Sequence, residues 1–253
     1  MMNPKFTIVL VHYNQMNYIY EALDSIINQS YDNIQLIITD DASEKFDKDK
    51  IEKYVLKKSK IKDLNFVVNK ENIGTTKTLN KSLKLVKGDY LLFFAADDTL
   101  YDENVIQNYV DTFQKHTSEY IVTSQCYMYD KELKNKMYNY VSEGYEKQFN
   151  NFSTNQIFNE ICKKSLFASG STAYRKELFN KMGNFDENYK YVEDWPFHIK
   201  CARQGIKTFY EPFVGLKHRD GGISNYNVRE LPKHVIQYYI DICNTYANEI
   251  MPY

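Results

Sequence analysis

The chain has 253 residues, 43% hydrophobic and 26% charged, with 32 basic side chains against 33 acidic ones. That balance exerts no global pull toward nucleic acid or an anionic membrane. No apolar run approaches the roughly 18 residues that a membrane-spanning helix needs. Cys126, Cys162, Cys201 and Cys243 lie far apart with no CxxC pair. This argues against a cysteine metal site or a disulfide framework, and reduced thiols in a cytosolic protein are expected. The first residues lack the cationic start, apolar stretch and small-residue cleavage site of a secretory signal.

Strand and helix signals alternate through the first hundred residues. Residues 6–11 form a β-rich apolar run that ends at His12-Tyr13-Asn14. Residues 18–28 carry Ile19, Ala22, Leu23, Ile26 and Ile27 at helical spacing. A second strand over 34–39 ends at Asp40-Asp41. Residues 47–58 read as a charged surface helix, and 64–68 as the third strand. The turn Asn72-Ile73-Gly74 precedes a helix that Thr75 or Thr76 is placed to cap, with Gly88 as its C-terminal stop. The fourth apolar run, Tyr90-Leu91-Leu92-Phe93-Phe94, leads through Ala95 and Ala96 into Asp97-Asp98. This alternation predicts an α/β fold with a mainly parallel central sheet and helices on both faces.

The second half is less regular. A helix over 103–115 and a strand over 120–129 are expected, then a polar, tyrosine-rich excursion over 131–151 and a short helix over 154–162. A helix over 194–204 is stopped by Gly205, and a strand covers 206–210. A terminal helix over 230–250 follows the Gly221-Gly222 turn. The simplest partition is a catalytic domain over 1–215, with halves of about 1–100 and 101–215, and a loop and helix over 216–253.

In a parallel sheet, the polar groups at His12, Asp40-Asp41 and Asp97-Asp98 share one edge, where open α/β sheets bind ligands. A lone acidic pair is ordinarily a solvated turn or a cap; two pairs, each directly after an apolar strand, point to a site. Asp41 can accept the N–H of a pyrimidine base. Asp97 can hold Mn²⁺ or Mg²⁺ against a pyrophosphate, which would offset charge on a departing nucleotide. There is no G-x-G-x-x-G and no G-x-x-x-x-G-K-[ST], which argues against a nicotinamide dinucleotide fold and a P-loop. Asp194, in Tyr191-Val192-Glu193-Asp194-Trp195, reads either as a helix cap or as a general base for a hydroxyl nucleophile. Trp195 reads as a platform for a sugar ring or as core. Among the 23 tyrosines, some are candidates to line a carbohydrate cleft.

These elements together resemble family 2 glycosyltransferases. The resemblance rests on Ile8-Val9-Leu10-Val11-His12-Tyr13-Asn14, Ser25 to Ser30 and Thr39-Asp40-Asp41-Ala42-Ser43. It continues through Asn72-Ile73-Gly74, Asn80, Gly88-Asp89-Tyr90, Ala96-Asp97-Asp98, Gly170-Ser171, Met182 to Glu187 and Glu193-Asp194-Trp195. It extends from about Phe6 to Ser224. It implies a GT-A fold, a nucleotide-sugar donor, a divalent cation and inversion at the anomeric carbon. Carried over by position, Tyr13 and Asp41 contact the base, and Asn72, Gly74, Asn80 and Ala96 belong to the donor side. Asp97, Asp98 and His218 are the implied metal ligands, with Lys217 and Arg219 near the diphosphate. Asp194 is the implied base, and Ser171, Glu193 and Trp195 the acceptor side. The first acid of the family's D-x-D element is Ala95 here, one carboxylate fewer.

The resemblance further implies a UDP-sugar, a saccharide or lipid-linked acceptor, and bacterial surface polysaccharide synthesis at the inner membrane face. A nucleotidyltransferase and a non-catalytic nucleotide-sugar binder are the competing readings. Leu231, Val235, Ile236, Tyr239 and Ile240 leave a packed helix, a membrane-surface contact and a homodimer open for the terminal segment.

Overall fold

The computed structural model describes residues 3–222 and 232–253. Its first half follows the predicted alternation. Strands β1 (Phe6–His12), β2 (Ile34–Asp40), β3 (Asp63–Val68) and β4 (Tyr90–Ala95) pair in parallel in the order β3-β2-β1-β4. Every residue of β2 is buried, and all of β1 except Val11. Runs without polar alternation suit strands covered on both faces. Successive side chains divide between two cores as the period-two pleat requires. Phe6, Ile8, Leu10, Leu36, Ile38, Leu92 and Phe94 pack with helices α1 (Ile19–Ile27) and α2 (Lys48–Lys58). Val9, Ile37, Leu91 and Phe93 face the opposite core with Leu79 of α3 (Thr75–Leu83).

Two local expectations are corrected. Gly74, not Thr75 or Thr76, occupies the α3 N-terminal capping position, with φ 89° and no side-chain cap. Helix α3 ends at Leu83, so Gly88 is not its stop. Gly88 instead allows a close approach: its N–H donates to Thr7 Oγ1 at 3.0 Å. A Cβ there would lie 2.6–2.8 Å from three oxygens.

The second half departs further. Short β5 (Thr99–Leu100) is followed by α4 (Val105–Lys115) and β6 (Ile121–Tyr129). The polar stretch over 131–151 contains β7 (Lys136–Asn139), paired with β6, and α5 (Glu143–Gln148). Val141 and Phe149 from this stretch enter a third core with Ile157 and Ile161 of α6 (Thr154–Lys163). Strand β8 (Thr172–Arg175) joins β4 to β6 with antiparallel pairing on both sides, and α7 (Lys176–Met182) follows. After α8 (Asp194–Arg203), β9 spans Thr208–Arg219 and runs through the boundary expected at 215/216. Pro212 conceals this length, since proline interrupts a ladder. The β6–β9 register slips around Ser124, Gln125 and Cys126 to admit the extra residues.

Strand β9 pairs with β5 through Lys217 and Leu216, which returns His218 and Arg219 to the end of β4. Helix α9 (Lys233–Thr245) buries Val235, Asp241 and Thr245 and leaves Ile236, Tyr239 and Ile240 exposed. Glu230, Leu231 and Ser224 lie outside the described residues. No described helix is long and apolar enough to cross a membrane.

Candidate active site

The parallel ladder aligns the polar strand ends. His12 pairs with Asp40 and Val11 with Ala95. Asp41 N–H donates to the His12 carbonyl, and Ala96 N–H to the Val11 carbonyl. Ala96 is thereby buried backbone support for the acids that follow it. Asp40 is fully engaged in the frame. It accepts the His12 Nδ1 proton at 2.8 Å, the Ser43 N–H at 3.0 Å and the Ser43 hydroxyl at 2.5 Å. Burial works to raise its pKa, but the His12 and Ser43 hydrogen bonds hold it below the usual carboxylate range.

Asp41 organises the next loop. Its Oδ1 accepts Asn69 Nδ2 and Ile73 N–H, each at 2.9 Å, and its Oδ2 accepts Gly74 N–H at 2.8 Å. Asp41 is 5% exposed. Asn69 also donates to Thr78 Oγ1, tying the loop to α3. The sequence reading missed Asn69; its place directly after β3, before Asn72-Ile73-Gly74, is the available signal. Asn72 is half-buried, and Tyr13 leaves 45% of its surface exposed beyond β1. Asn80 faces the other way. Its amide donates to the Phe185 carbonyl and Glu187 Oε1 and accepts Phe185 N–H. It joins α3 to the 184–193 loop and is buried, so a direct donor contact is replaced by a scaffold role.

Asp97 and Asp98 are chemically distinct despite being neighbours. Asp98 Oδ1 accepts Arg219 N–H at 2.9 Å and its Oδ2 accepts His218 Nδ1 at 2.8 Å. Among the described residues, no three His, Cys, Asp or Glu side chains form a metal cage. Of the expected Asp97, Asp98 and His218 trio, Asp98 is the member that orients His218. Among the described residues, no other residue donates a hydrogen bond to the Asp97 carboxylate. Burial, then the neighbouring Asp98 charge, push its pKa up to about 6. Burial would lower the His218 pKa, but Asp98 outweighs it and the imidazole rises to about 9. With Nδ1 bonded to Asp98, Nε2 of His218 is left as a ligand atom in a carboxylate–histidine arrangement. Asp97 and His218 fit a hard cation completed by phosphate oxygens, which would displace the imidazole proton.

Arg219 is also corrected as a direct diphosphate contact. It is 3% exposed. Its guanidinium donates to the Asp97 carbonyl at 2.6 Å, to the Lys131 carbonyl and to Glu21 Oε2 at 2.5 Å, and lies over the Tyr18 ring. It fastens β9 to the acidic turn. Lys217 is half-buried, with its ammonium over the Tyr101 and Tyr129 rings.

Asp194 opens α8, where a helix N-terminus favours negative charge. Its Oδ1 accepts Trp195 N–H at 2.7 Å, and burial lifts its pKa to about 6. Glu193 is buried; desolvation, then Asp194, push it to about 8. Asp194 is half-buried, and the phenols of Tyr140, Tyr174 and Tyr238 are raised first by their own burial and then by the Asp194 charge. Tyr140 N–H donates to the Cys126 carbonyl at 2.8 Å, and Cys126 pairs with Leu216 of β9, two residues before His218. Two expected acceptor contacts are corrected. Trp195 is 4% exposed in the third core and donates Nε1–H to the Ile161 carbonyl at 2.8 Å. Ser171 is 1% exposed, and its hydroxyl donates to the Ala168 carbonyl.

A parallel sheet extended by antiparallel strands, with carboxylates on the shared edge, is the GT-A glycosyltransferase architecture. Solved structures of that class superpose on nearly the whole chain. A mannosyltransferase from Pyrobaculum calidifontis, in complex with GDP-Man and Mn²⁺, matches with TM-score 0.70 and 19% identity. That alignment covers 99% of this chain and 65% of the other. Staphylococcus aureus TarS with UDP-GlcNAc matches with TM-score 0.68 and 21% identity over 95% and 67% of the two chains.

Residues 7–183 match the profile of Glycosyl transferase family 2, and the chain belongs to that family. An uncharacterized glycosyltransferase of Rickettsia typhi is 27% identical over 234 residues, 92% of this chain and 70% of that protein. Glycosyltransferase GlyA of Streptococcus pneumoniae is 26% identical over 233 residues, 88% of this chain but 32% of its own length. The protein is thus a transferase of the glycosyl-transferring class. Asp194 lies beyond the family match, so its role rests on its own geometry.

Proposed function

We propose that this protein is an inverting glycosyltransferase. It moves a sugar from a nucleoside diphosphate donor, UDP-sugars first, to a hydroxyl of a saccharide or lipid-linked saccharide. The observation that carries the reading is Asp194: a half-buried carboxylate with one oxygen oriented by Trp195 N–H and a pKa of about 6. Such a group is ionised at neutral pH yet basic enough to accept a proton in the transition state.

In the proposed reaction Asp194 accepts the acceptor hydroxyl proton as that oxygen attacks the anomeric carbon. The new C–O bond forms as the bond to the donor phosphate oxygen breaks on the opposite face. Tyr13 offers its exposed ring to the base, and Asp41 acts through the 69–74 loop it fastens. Asn72, Gly74 and Ala96 are assigned to the donor side as backbone and turn, and Lys217 to the diphosphate. Glu193, buried beside Asp194, tunes the local field more than it touches an acceptor. Asp97 and His218 would hold a divalent cation, Mn²⁺ or Mg²⁺, which when bound offsets negative charge on the diphosphate. Support for donor and metal comes from the solved relatives, one with GDP-Man and Mn²⁺ and another with UDP-GlcNAc. The proposed setting is bacterial surface polysaccharide synthesis, in the cytoplasm with peripheral contact to the inner membrane. The exposed Ile236, Tyr239 and Ile240 are the candidate contact for a membrane or a second copy.

The test is a panel of UDP- and GDP-sugars with saccharide acceptors, with Mn²⁺ or with EDTA. Release of nucleoside diphosphate that EDTA abolishes is the expected result. Pyrophosphate as product would make the protein a nucleotidyltransferase. Donor binding without any release would make it a non-catalytic binder.

A further inference from the structure

Helix α9 and the helical turn that continues it, Tyr246–Ile250, contact α8 and the residues just before it at three points. Near the start of α8, the Asp241 carboxylate of α9 is 0% exposed. Its Oδ2 accepts Lys190 N–H at 2.8 Å and Tyr191 N–H at 2.7 Å, and its Oδ1 accepts Gln237 Nε2 at 2.9 Å. One turn further along, the Tyr246 ring stands edge-on to Trp195, centroids 5.2 Å apart. Near the end of α8, Arg203 donates to Glu249 Oε2 at 2.5 Å and to the Glu249 carbonyl at 3.1 Å.

The Asp241 contact reaches past α8. Lys190 is also the residue against which Gly74 packs: its Cγ occupies the space a Cβ on Gly74 would need. Lys190 O accepts Thr76 N–H at 3.3 Å. Gly74 N–H in turn donates to Asp41. A chain of short contacts therefore joins the Asp41 loop, the 190–191 backbone and α9. Backbone N–H groups bonded to a buried carboxylate are held by charge-assisted bonds, roughly twice as strong as neutral ones. The segment so held ends three residues before Asp194.

We propose that Asp241 is a positioning residue for catalysis: through the Lys190 and Tyr191 amides it sets the backbone that aims Asp194 at the acceptor. The inference rests on Asp194 as the base. A misplacement of about 1 Å in such a group costs on the order of a hundredfold in rate.

The test uses Asp241→Ala and Asp241→Asn in the full chain. Turnover is read as nucleoside diphosphate release from the best donor among UDP-GlcNAc, UDP-glucose, UDP-galactose and GDP-mannose. UDP affinity with Mn²⁺ is read by calorimetry, and amide hydrogen exchange over 190–195 by mass spectrometry. Asp241→Ala is expected to lower kcat by about thirtyfold or more with UDP affinity within about twofold, and to accelerate exchange over 190–195. Asp241→Asn keeps an oxygen toward the two amides, so kcat should recover to within about tenfold of the parent. If the alanine variant does not fold, the asparagine variant carries the test through a kcat reduced about three- to tenfold and faster exchange. Unchanged exchange in Asp241→Asn, or an equal loss of UDP affinity and kcat, overturns the proposal. Asp194→Asn separates the two ideas. Full turnover there removes Asp194 as the base, whereas the exchange result reads the Asp241 contact directly.

Discussion

The Asp40-Asp41 end of the sheet and the Glu193-Asp194 end of α8 both present adjacent acids, yet their electrostatics are opposite. At the first, each carboxylate is saturated: Asp40 by His12 and Ser43, Asp41 by Asn69 and two backbone amides. Asp40 is correspondingly held below its usual range. At the second, Asp194 accepts the N–H of the following residue, and burial lifts Glu193 to about 8 and Asp194 to about 6. Saturated acids build the frame, and the under-bonded ones are left with raised pKa values. The Asp97-Asp98 turn repeats the contrast within two residues, with Asp98 committed to His218 and Arg219 and Asp97 raised to about 6.

The largest expected effect tests the under-bonded end. Asp194→Asn should lower turnover by about a thousandfold or more while leaving nucleoside diphosphate affinity within about twofold. Retained turnover would erase the distinction between the two ends. The pH profile tests the same point. Asp194 must be ionised to act as a base, so kcat/KM should fall about tenfold per unit below its pKa of about 6 and level off above it. A flat profile between pH 5 and 8 would count against the assignment.

Next in size is Asp41→Ala. Removing a carboxylate that holds three N–H groups should cost about 3 kcal/mol of stability, with Asp41→Asn recovering part of it. Denaturant titration measures this. A variant that lost donor affinity at unchanged stability would show instead that Asp41 is primarily a binding group.

The parallel half was legible in the sequence because strands buried on both faces have nowhere to place polar residues. The runs of β1, β2 and β4 therefore announced themselves, and so did the polar groups at their ends. The division of labour within each acidic pair was not legible. Asp97 and Asp98 differ only in which side of the turn they face, a property set by β9 returning from more than a hundred residues away. Strand β9 extends well past the 206–210 run, because irregularities in its register against β6 accommodate Pro212. Arg219 and Ser171 carried the residue types of a ligand site, but long-range bonds fill their polar atoms. Asp241 gave no signal at all, because its partners are backbone amides at Lys190 and Tyr191.

Glu193→Gln probes the under-bonded end through stability. The Glu193 pKa is raised from 4.5 to about 8, so between these values the folded chain keeps a proton that the unfolded chain releases. Its contribution is fully present below about pH 4.5 and is lost as pH rises toward 8. Glu193→Gln should flatten that decline and gain on the order of 1–3 kcal/mol at pH 8 relative to pH 5. Equal pH slopes in the two proteins would show that Glu193 is ionised in the fold.

The smallest expected effect separates core from site within Glu193-Asp194-Trp195. Trp195→Phe removes the Nε1–H bond to the Ile161 carbonyl and leaves a ring in the third core against Tyr246. The loss should be about 1–2 kcal/mol, one buried hydrogen bond and some packing. Because the indole is buried, KM for a saccharide acceptor should stay within about twofold. A tenfold rise in KM at unchanged stability would mean that the indole reaches the acceptor, and that this end of α8 opens on binding.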